Sequence, residues 1–205
     1  MSILTTHVGS LPRPKNVSDL LFKRENNEVY EQKYFDEVIS NGVYEVVKKQ
    51  VDIGIDIISD GEMSKISYAT YVKDRYNGFA GDSERNPPLD LEKFPNYMKK
   101  IADSGGTPTY SRPCCVSEIT SKNNNDLSND ITNLLNASKK LGHENTFMNS
   151  ASPGVISLFL SNSYYASRNE YLDAISKAMK DEYETIVRSG IKLQLDCPDL
   201  ALSRH

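Results

Sequence analysis

The run Gly190-Ile-Lys-Leu-Gln-Leu-Asp-Cys-Pro-Asp-Leu-Ala-Leu202 decides the fold of this chain. Gly190 supplies the left-handed residue that commonly ends a helix. Ile191, Leu193 and Leu195 alternate with Lys192 and Gln194, the period-2 signature of a strand. Asp196 falls at the C-terminal end of that strand, and Pro198 stops the ladder just beyond it. Acids at that end of a strand are where α/β proteins keep their chemistry. The phrase occurs twice: Val51 to Asp60 and Val187 to Asp196 both read V-x-x-G-I-x-I/L-x-x-D. Helix–Gly–strand junctions in general look like this, and a repeated one argues for repeated βα units.

Upstream of Gly190, Ser167-Arg-Asn-Glu170 is a capping box. It opens a helix carrying Leu172, Ile175, Met179, Tyr183, Ile186 and Val187. Thr146 to Ser150 reads as a strand followed by the loop Ala151-Ser152-Pro153-Gly154, and Ile131, Leu134, Leu135 and Leu141 mark a helix stopped by Gly142. A further strand is predicted near Cys114 to Ile119. Phe35, Val38, Ile39, Val43, Val46, Val47 and Val51 recur at helical spacing within 30–53, and Gly54 ends that helix. Ile55 to Ser59 is the next strand and delivers Asp60-Gly61-Glu62. A short helix is predicted over Val17 to Asn26, capped by Asn16 or Ser18. Ile3 to Val8 is a β-branched strand candidate running into Gly9-Ser10, a turn with free backbone donors able to hold a carboxylate.

Residues 63–106 are less regular, long for a βα connection, and carry Lys65, Tyr68, Tyr71, Lys73, Arg75 and Tyr76. They read as an amphipathic surface helix or, alternatively, as a loop contacting a flat anionic ligand. The polar residues gather after successive strands rather than at one switch point. That predicts a TIM (β/α)8-type barrel, incomplete, with about the first five βα units and no terminal helix closing the last strand. The 205 residues form one domain in this reading, and two strand edges are left bare.

Composition bounds the function. A net charge of −4 argues against a phosphate-dominated nucleic-acid partner. No apolar run reaches membrane-spanning length, and the first residues lack the basic-then-apolar pattern of a secretory signal. Three cysteines do not suggest a disulfide framework. The expectation is a cytoplasmic, soluble protein.

Taken in order, Thr5-Thr-His-Val-Gly-Ser-Leu-Pro-Arg-Pro14, Ser59-Asp-Gly-Glu62, Ser152-Pro-Gly154 with Tyr164-Tyr165, and Leu193-Gln-Leu-Asp-Cys-Pro-Asp-Leu-Ala201 resemble the cobalamin-independent methionine synthase family. The resemblance is to its catalytic C-terminal barrel and the stand-alone relatives of that barrel, and it covers nearly the whole chain. It implies methyl transfer from 5-methyltetrahydropteroyltri-L-glutamate, a 5-methyltetrahydrofolate polyglutamate, to homocysteine, with the thiol activated by zinc. By the same resemblance Gly9 and Ser10 would hold the homocysteine carboxylate, Glu62 and Asp196 its ammonium, and the Ser152–Gly154 loop would lie on the folate side. His7 is a candidate ligand contact because it sits where the site should be.

The family's zinc ligands include a His-x-Cys pair, which this chain lacks. Cys114 and Cys115 are neighbours that a regular strand points to opposite faces. No metal ligand is therefore assigned, and Cys197 stands where relatives often carry a second acid. The chain is expected to be the N-terminal part of such an enzyme, inactive alone. Two alternatives stand beside that: a thiol alkyltransferase of the coenzyme M type, and a non-catalytic half-barrel that forms a homodimer through its exposed edges.

Overall fold

A computed structural model describes residues 3–83, 91, 93–103 and 112–202. In chain order the elements are α1 (Lys15–Glu25), α2 (Gln32–Asp52), α3 (Val72–Arg75), β1 (Tyr76–Ala80), α4 (Pro95–Asp103) and β2 (Cys114–Ser121). Then come α5 (Asp126–Lys140), β3 (Phe147–Ala151), α6 (Pro153–Phe159), α7 (Arg168–Arg188), β4 (Lys192–Asp196) and α8 (Asp199–Leu202).

The parallel series lies at the centre. β3 pairs with β4 in parallel register, Phe147 opposite Lys192 through Ala151 opposite Asp196. On the other side of β3, Ile58 bridges Thr146, also in parallel. The first segment joins next: Ile57 N–H donates to Thr5 O and Leu11 N–H to Gly61 O, partners that advance together along both segments. β3 is buried at every position, as a parallel strand covered on both faces must be.

Two predicted strands, Ile3 to Val8 and Ile55 to Ser59, do not form continuous ladders. Side chains take the hydrogen bonds a ladder would use. Asp56 Oδ2 accepts from Thr5 N–H at 2.7 Å, and Thr6 Oγ1 donates to Ile57 O at 2.9 Å. Gln50, on the buried face of α2, accepts from Ser59 N–H at 2.9 Å and donates to Ser59 O at 2.8 Å.

The strand near Cys114 forms, but outside the parallel series. β2 runs antiparallel to β1, with a bulge between Asn77 and Phe79. Gly78 makes this possible: φ is +104°, and a Cβ there would lie 2.9 Å from Glu118 O. β1 itself has no alternating pattern, and its pairing partner lies about forty residues away, so the sequence concealed it. Within 63–106 a surface helix does form, α4, with Tyr97 exposed; residues 84–90, 92 and 104–106 of that stretch lie outside the described residues, and its earlier part is not a surface helix. Tyr71, Arg75 and Lys65 are buried, because their polar ends meet partners on β3, α5 and α7. A four-residue helix, α8, follows the last strand where none was expected, and it packs on α6.

The helices follow their apolar spacing. α2 buries Phe35, Val38, Ile39, Val43 and Val47, and α7 buries Tyr171, Ile175, Met179 and Ile186. At ~1.5–3 kcal/mol per fully buried large apolar side chain, each face is a substantial anchor. Ser167 caps α7 by accepting from Glu170 N–H, as the capping box predicts. α1 begins earlier than expected, at Lys15 after Pro14, so neither Asn16 nor Ser18 is its cap. One apolar cluster joins α1, α2 and α5 to Ile58 and Met148, and a second joins α6, α7 and Cys115 to Ala151. Among the described residues, no helix is long and apolar enough to cross a membrane.

Candidate functional site

The loops leaving the parallel segments converge at one end. The first contributes Gly9 and Ser10, the second Glu62, β3 Asn149 and β4 Asp196. Glu62 is buried, and it adopts φ +57°, a left-handed conformation that costs a non-glycine residue of order 1 kcal/mol or more. Asp60 Oδ1 holds that turn by accepting from Glu62 N–H at 3.0 Å. Ser10 Oγ donates to Glu62 Oε2. Gly9, at φ +58°, brings its backbone against the same carboxylate: a Cβ there would lie 3.4 Å from Glu62 Oε1 and 3.7 Å from Asn149 Nδ2. Asn149 Nδ2 in turn donates to both oxygens of Asp196, at 3.0 and 3.1 Å, and Gln194 Nε2 donates to Asp196 Oδ1 at 3.2 Å.

Gly9, Ser10, Glu62 and Asp196 are thus gathered by tertiary structure. Ser152 and Gly154 stand beside them. Ser152 N–H donates to Asp196 O at 3.1 Å, and Ser152 Oγ accepts from Val155 N–H, capping α6. The same hydroxyl donates to Asp199 Oδ1 at 2.9 Å. Gly154 is packed so closely on Asp199 that a Cβ would sit 2.1 Å from Oδ2. His7 directs its bonds elsewhere: Nε2 meets Gln50 Oε1 at 2.9 Å and Ser59 Oγ at 3.1 Å, and its ring packs edge-on against Phe147.

Asn149 is not legible as a site residue in the sequence, and Lys65, there part of a segment that could contact a flat anionic ligand, is instead buried against Asn149. The one available signal for Asn149 was an amide in a strand otherwise made of apolar and small residues. Lys65 Nζ donates to Asn149 O at 2.6 Å and lies over the Tyr71 ring at 4.5 Å. Behind it, Tyr71 Oη and Ser150 Oγ each donate to Glu182 Oε1 at 2.6 Å, and Arg75 bridges Glu182 and Asp130. Burial works to raise the Glu182 carboxyl, but Arg75, then Lys65 and the hydrogen bonds outweigh it and hold the group below its ordinary value. Asp60 goes the other way. Full burial pushes its carboxyl up to about 6 despite the nearby Lys65.

Among the described residues, no three or more His, Cys, Asp and Glu side chains gather in a way that could hold a metal ion. Cys115 is buried, and burial raises its thiol, the opposite of what a metal-binding thiolate needs.

An α/β protein with paired carboxylates at the C-terminal ends of parallel strands is the class these features define. Comparison with known proteins carries it further. Residues 3–86 match the family described as cobalamin-independent synthase, catalytic domain. Over 196 residues, the chain is 26% identical to a methionine synthase of Sulfolobus acidocaldarius, covering 95% of this chain and 51% of that protein. It is 25% identical over 202 residues to one of Saccharolobus islandicus, covering 98% and 54%. A B12-independent methionine synthase from Shewanella, solved in complex with selenomethionine, superposes with TM-score 0.68 at 17% identity, over 95% of this chain and 51% of that one. The chain is thus similar to cobalamin-independent methionine synthases, and it spans about half the length of the curated relatives it matches.

Proposed function

We propose that this chain binds homocysteine as the methyl acceptor of a methionine-synthase-like methyltransferase, with 5-methyltetrahydropteroyltri-L-glutamate as donor. The observation that carries the reading is the convergence of Glu62 and Asp196 on Gly9 and Asn149, with Glu62 Oε1 buried and without a partner among the described residues. A buried carboxylate oxygen left unpaired is costly, and an ammonium with three donors answers it. Two carboxylates also disfavour a sulfonate tail, which speaks against a coenzyme M type substrate. The Shewanella relative's complex with selenomethionine, an amino acid, agrees with an amino-acid site.

In this reading Gly9 and Ser10 face the substrate carboxylate, and Ser152 and Gly154 the folate side. Their architecture is part of a (β/α)8-type barrel within one domain of a cytoplasmic enzyme. His7 orders the Gln50–Ser59 junction beneath the site. Zinc belongs to the family expectation, but the side chains of the described residues do not fit it, and in this reading the chain alone binds without transferring. The test is isothermal titration of L-homocysteine into the full chain and into Asp196→Asn and Glu62→Gln. Wild-type binding that weakens about tenfold or more in each variant supports the reading, on the strength of a lost charged hydrogen bond. No heat from a folded wild-type chain overturns it.

A second reading, association through open edges, is favoured by one observation. Leu195 on β4 is 43% exposed and Val8 on the first segment 78% exposed, so both ends of the parallel series present apolar residues to solvent.

A further inference from the structure

Asn149 is the residue the methyl-acceptor reading leaves unexplained. It lies at the middle of β3 and is 1% exposed. Its backbone carbonyl is pinned by Lys65, and its Nδ2 spans both oxygens of Asp196. Its Oδ1 is buried with no hydrogen-bond partner among the described residues, as is Glu62 Oε1. Gly9 places the two groups in one neighbourhood, since the same Cβ position lies within 3.7 Å of both side chains. Buried polar atoms are almost always paired, so two orphaned acceptors around one glycine point to a donor-rich guest.

We propose that Asn149 is a specificity-determining residue for a primary ammonium group. Its Oδ1 accepts one N–H of the ligand while its Nδ2 fixes Asp196 to accept another, and Glu62 Oε1 takes the third. The inference rests on the amino-acid reading above and adds a residue to it. An amide suits the position better than a third acid. A carboxylate in bonding contact with Asp196 would be repelled by it, whereas the amide donates to Asp196 and offers an acceptor to the ligand at no cost in charge. Lys65 takes no such role, because its ammonium is already committed to Asn149 O and the Tyr71 ring.

The experiment compares two thiols that differ only in the amine, L-homocysteine and 4-mercaptobutanoate, titrated into the full chain and into Asn149→Leu and Asn149→Asp. Wild type is expected to prefer homocysteine, and Asn149→Leu to lose about ten- to a hundredfold of that preference, the range for a hydrogen bond to a charged group. In Asn149→Asp, the preference is expected to fall at neutral pH and recover as pH is lowered and the new carboxyl protonates. A protonated acid can again donate to Asp196 and accept from the ligand. That pH profile is a readout a merely structural residue would not move, and it decides the matter if the leucine variant fails to fold. If wild type discriminates but both folded variants keep the same preference, or lose both thiols equally at every pH, Asn149 is not a specificity residue and the amino-acid reading stands. A wild type that binds neither thiol, or both alike, overturns the reading and the inference together.

Discussion

At the scale of single residues, the site is built from groups whose local geometry makes sense only with their neighbours. Gly9 is favoured by its φ of +58°, a left-handed conformation that side-chain-bearing residues rarely adopt, while a Cβ there would make only ordinary contact with Glu62 and Asn149. Glu62 accepts a strained backbone at the same point. Asp60 beneath it offers a stability prediction. Burial raises its carboxyl to about 6 in the folded chain, from an ordinary aspartate value of 3.8. The folded chain therefore binds the extra proton more tightly than the unfolded chain. Its contribution to stability is full below about pH 4, is lost as pH rises towards 6, and is a standing cost above that, of order 2–3 kcal/mol. Asp60→Asn keeps the Oδ1 acceptor for Glu62 N–H while removing the charge. We expect it to match wild type near pH 4 and to be more stable at pH 7–8, read as the urea midpoint across pH. A variant equally or less stable at pH 8 would contradict the argument.

At the scale of elements, the contact between the 61–75 segment, β3, α5 and α7 is made by a buried polar network rather than by apolar side chains alone. Arg75 joins Asp130 on α5 to Glu182 on α7, and Tyr71 and Ser150 complete the Glu182 carboxylate. Removing one member strands the others. Arg75→Met leaves two buried carboxylates without their cation, and a loss of roughly 3–5 kcal/mol is expected in denaturant unfolding. Glu182→Gln keeps the acceptor for Tyr71 and Ser150 and should cost less. Equal, small losses for the two variants would mean that the network is not the joint between these elements. The network also reaches the site. Lys65, beside Tyr71, holds the Asn149 carbonyl, so the position of the acceptor strand depends on the joint.

At the scale of the whole molecule, β4 pairs with β3 and with no other described strand, and the first segment closes the opposite side. Exposed Ile3, Leu4 and Val8 at one edge and Leu195 and Leu200 at the other are apolar surface that another chain or another segment would cover. We expect the 205-residue chain to run as a dimer or larger species in size-exclusion chromatography with light scattering. Leu195→Lys should shift it towards monomer. A stable wild-type monomer at micromolar concentration would count against edge pairing.

The sequence by itself determined the elements whose signal is local. The α2 and α7 faces follow from apolar spacing, the Ser167 cap from a four-residue box, and β4 from the alternation in 191–195. It also placed Asp60, Glu62, Asp196 and Asp199 after strand ends, whereas the approach of Glu62 and Asp196 to the Gly9–Asn149 neighbourhood is visible only in the tertiary structure. Tertiary structure alone decided the rest, because the competing interactions come from far along the chain. Gln50 and the threonines take the backbone groups of two predicted strands, so those segments stay extended without ladders. Cys114–Ser121 pairs with Tyr76–Ala80 instead of joining the parallel series, because the bulge at Gly78 fits that partner. Tyr71 and Arg75 are buried only because Glu182, more than a hundred residues on, supplies the charge that makes burial affordable. Asn149 becomes part of the site for the same reason: an amide in a buried strand has a role only once folding has set Asp196 and Gly9 beside it.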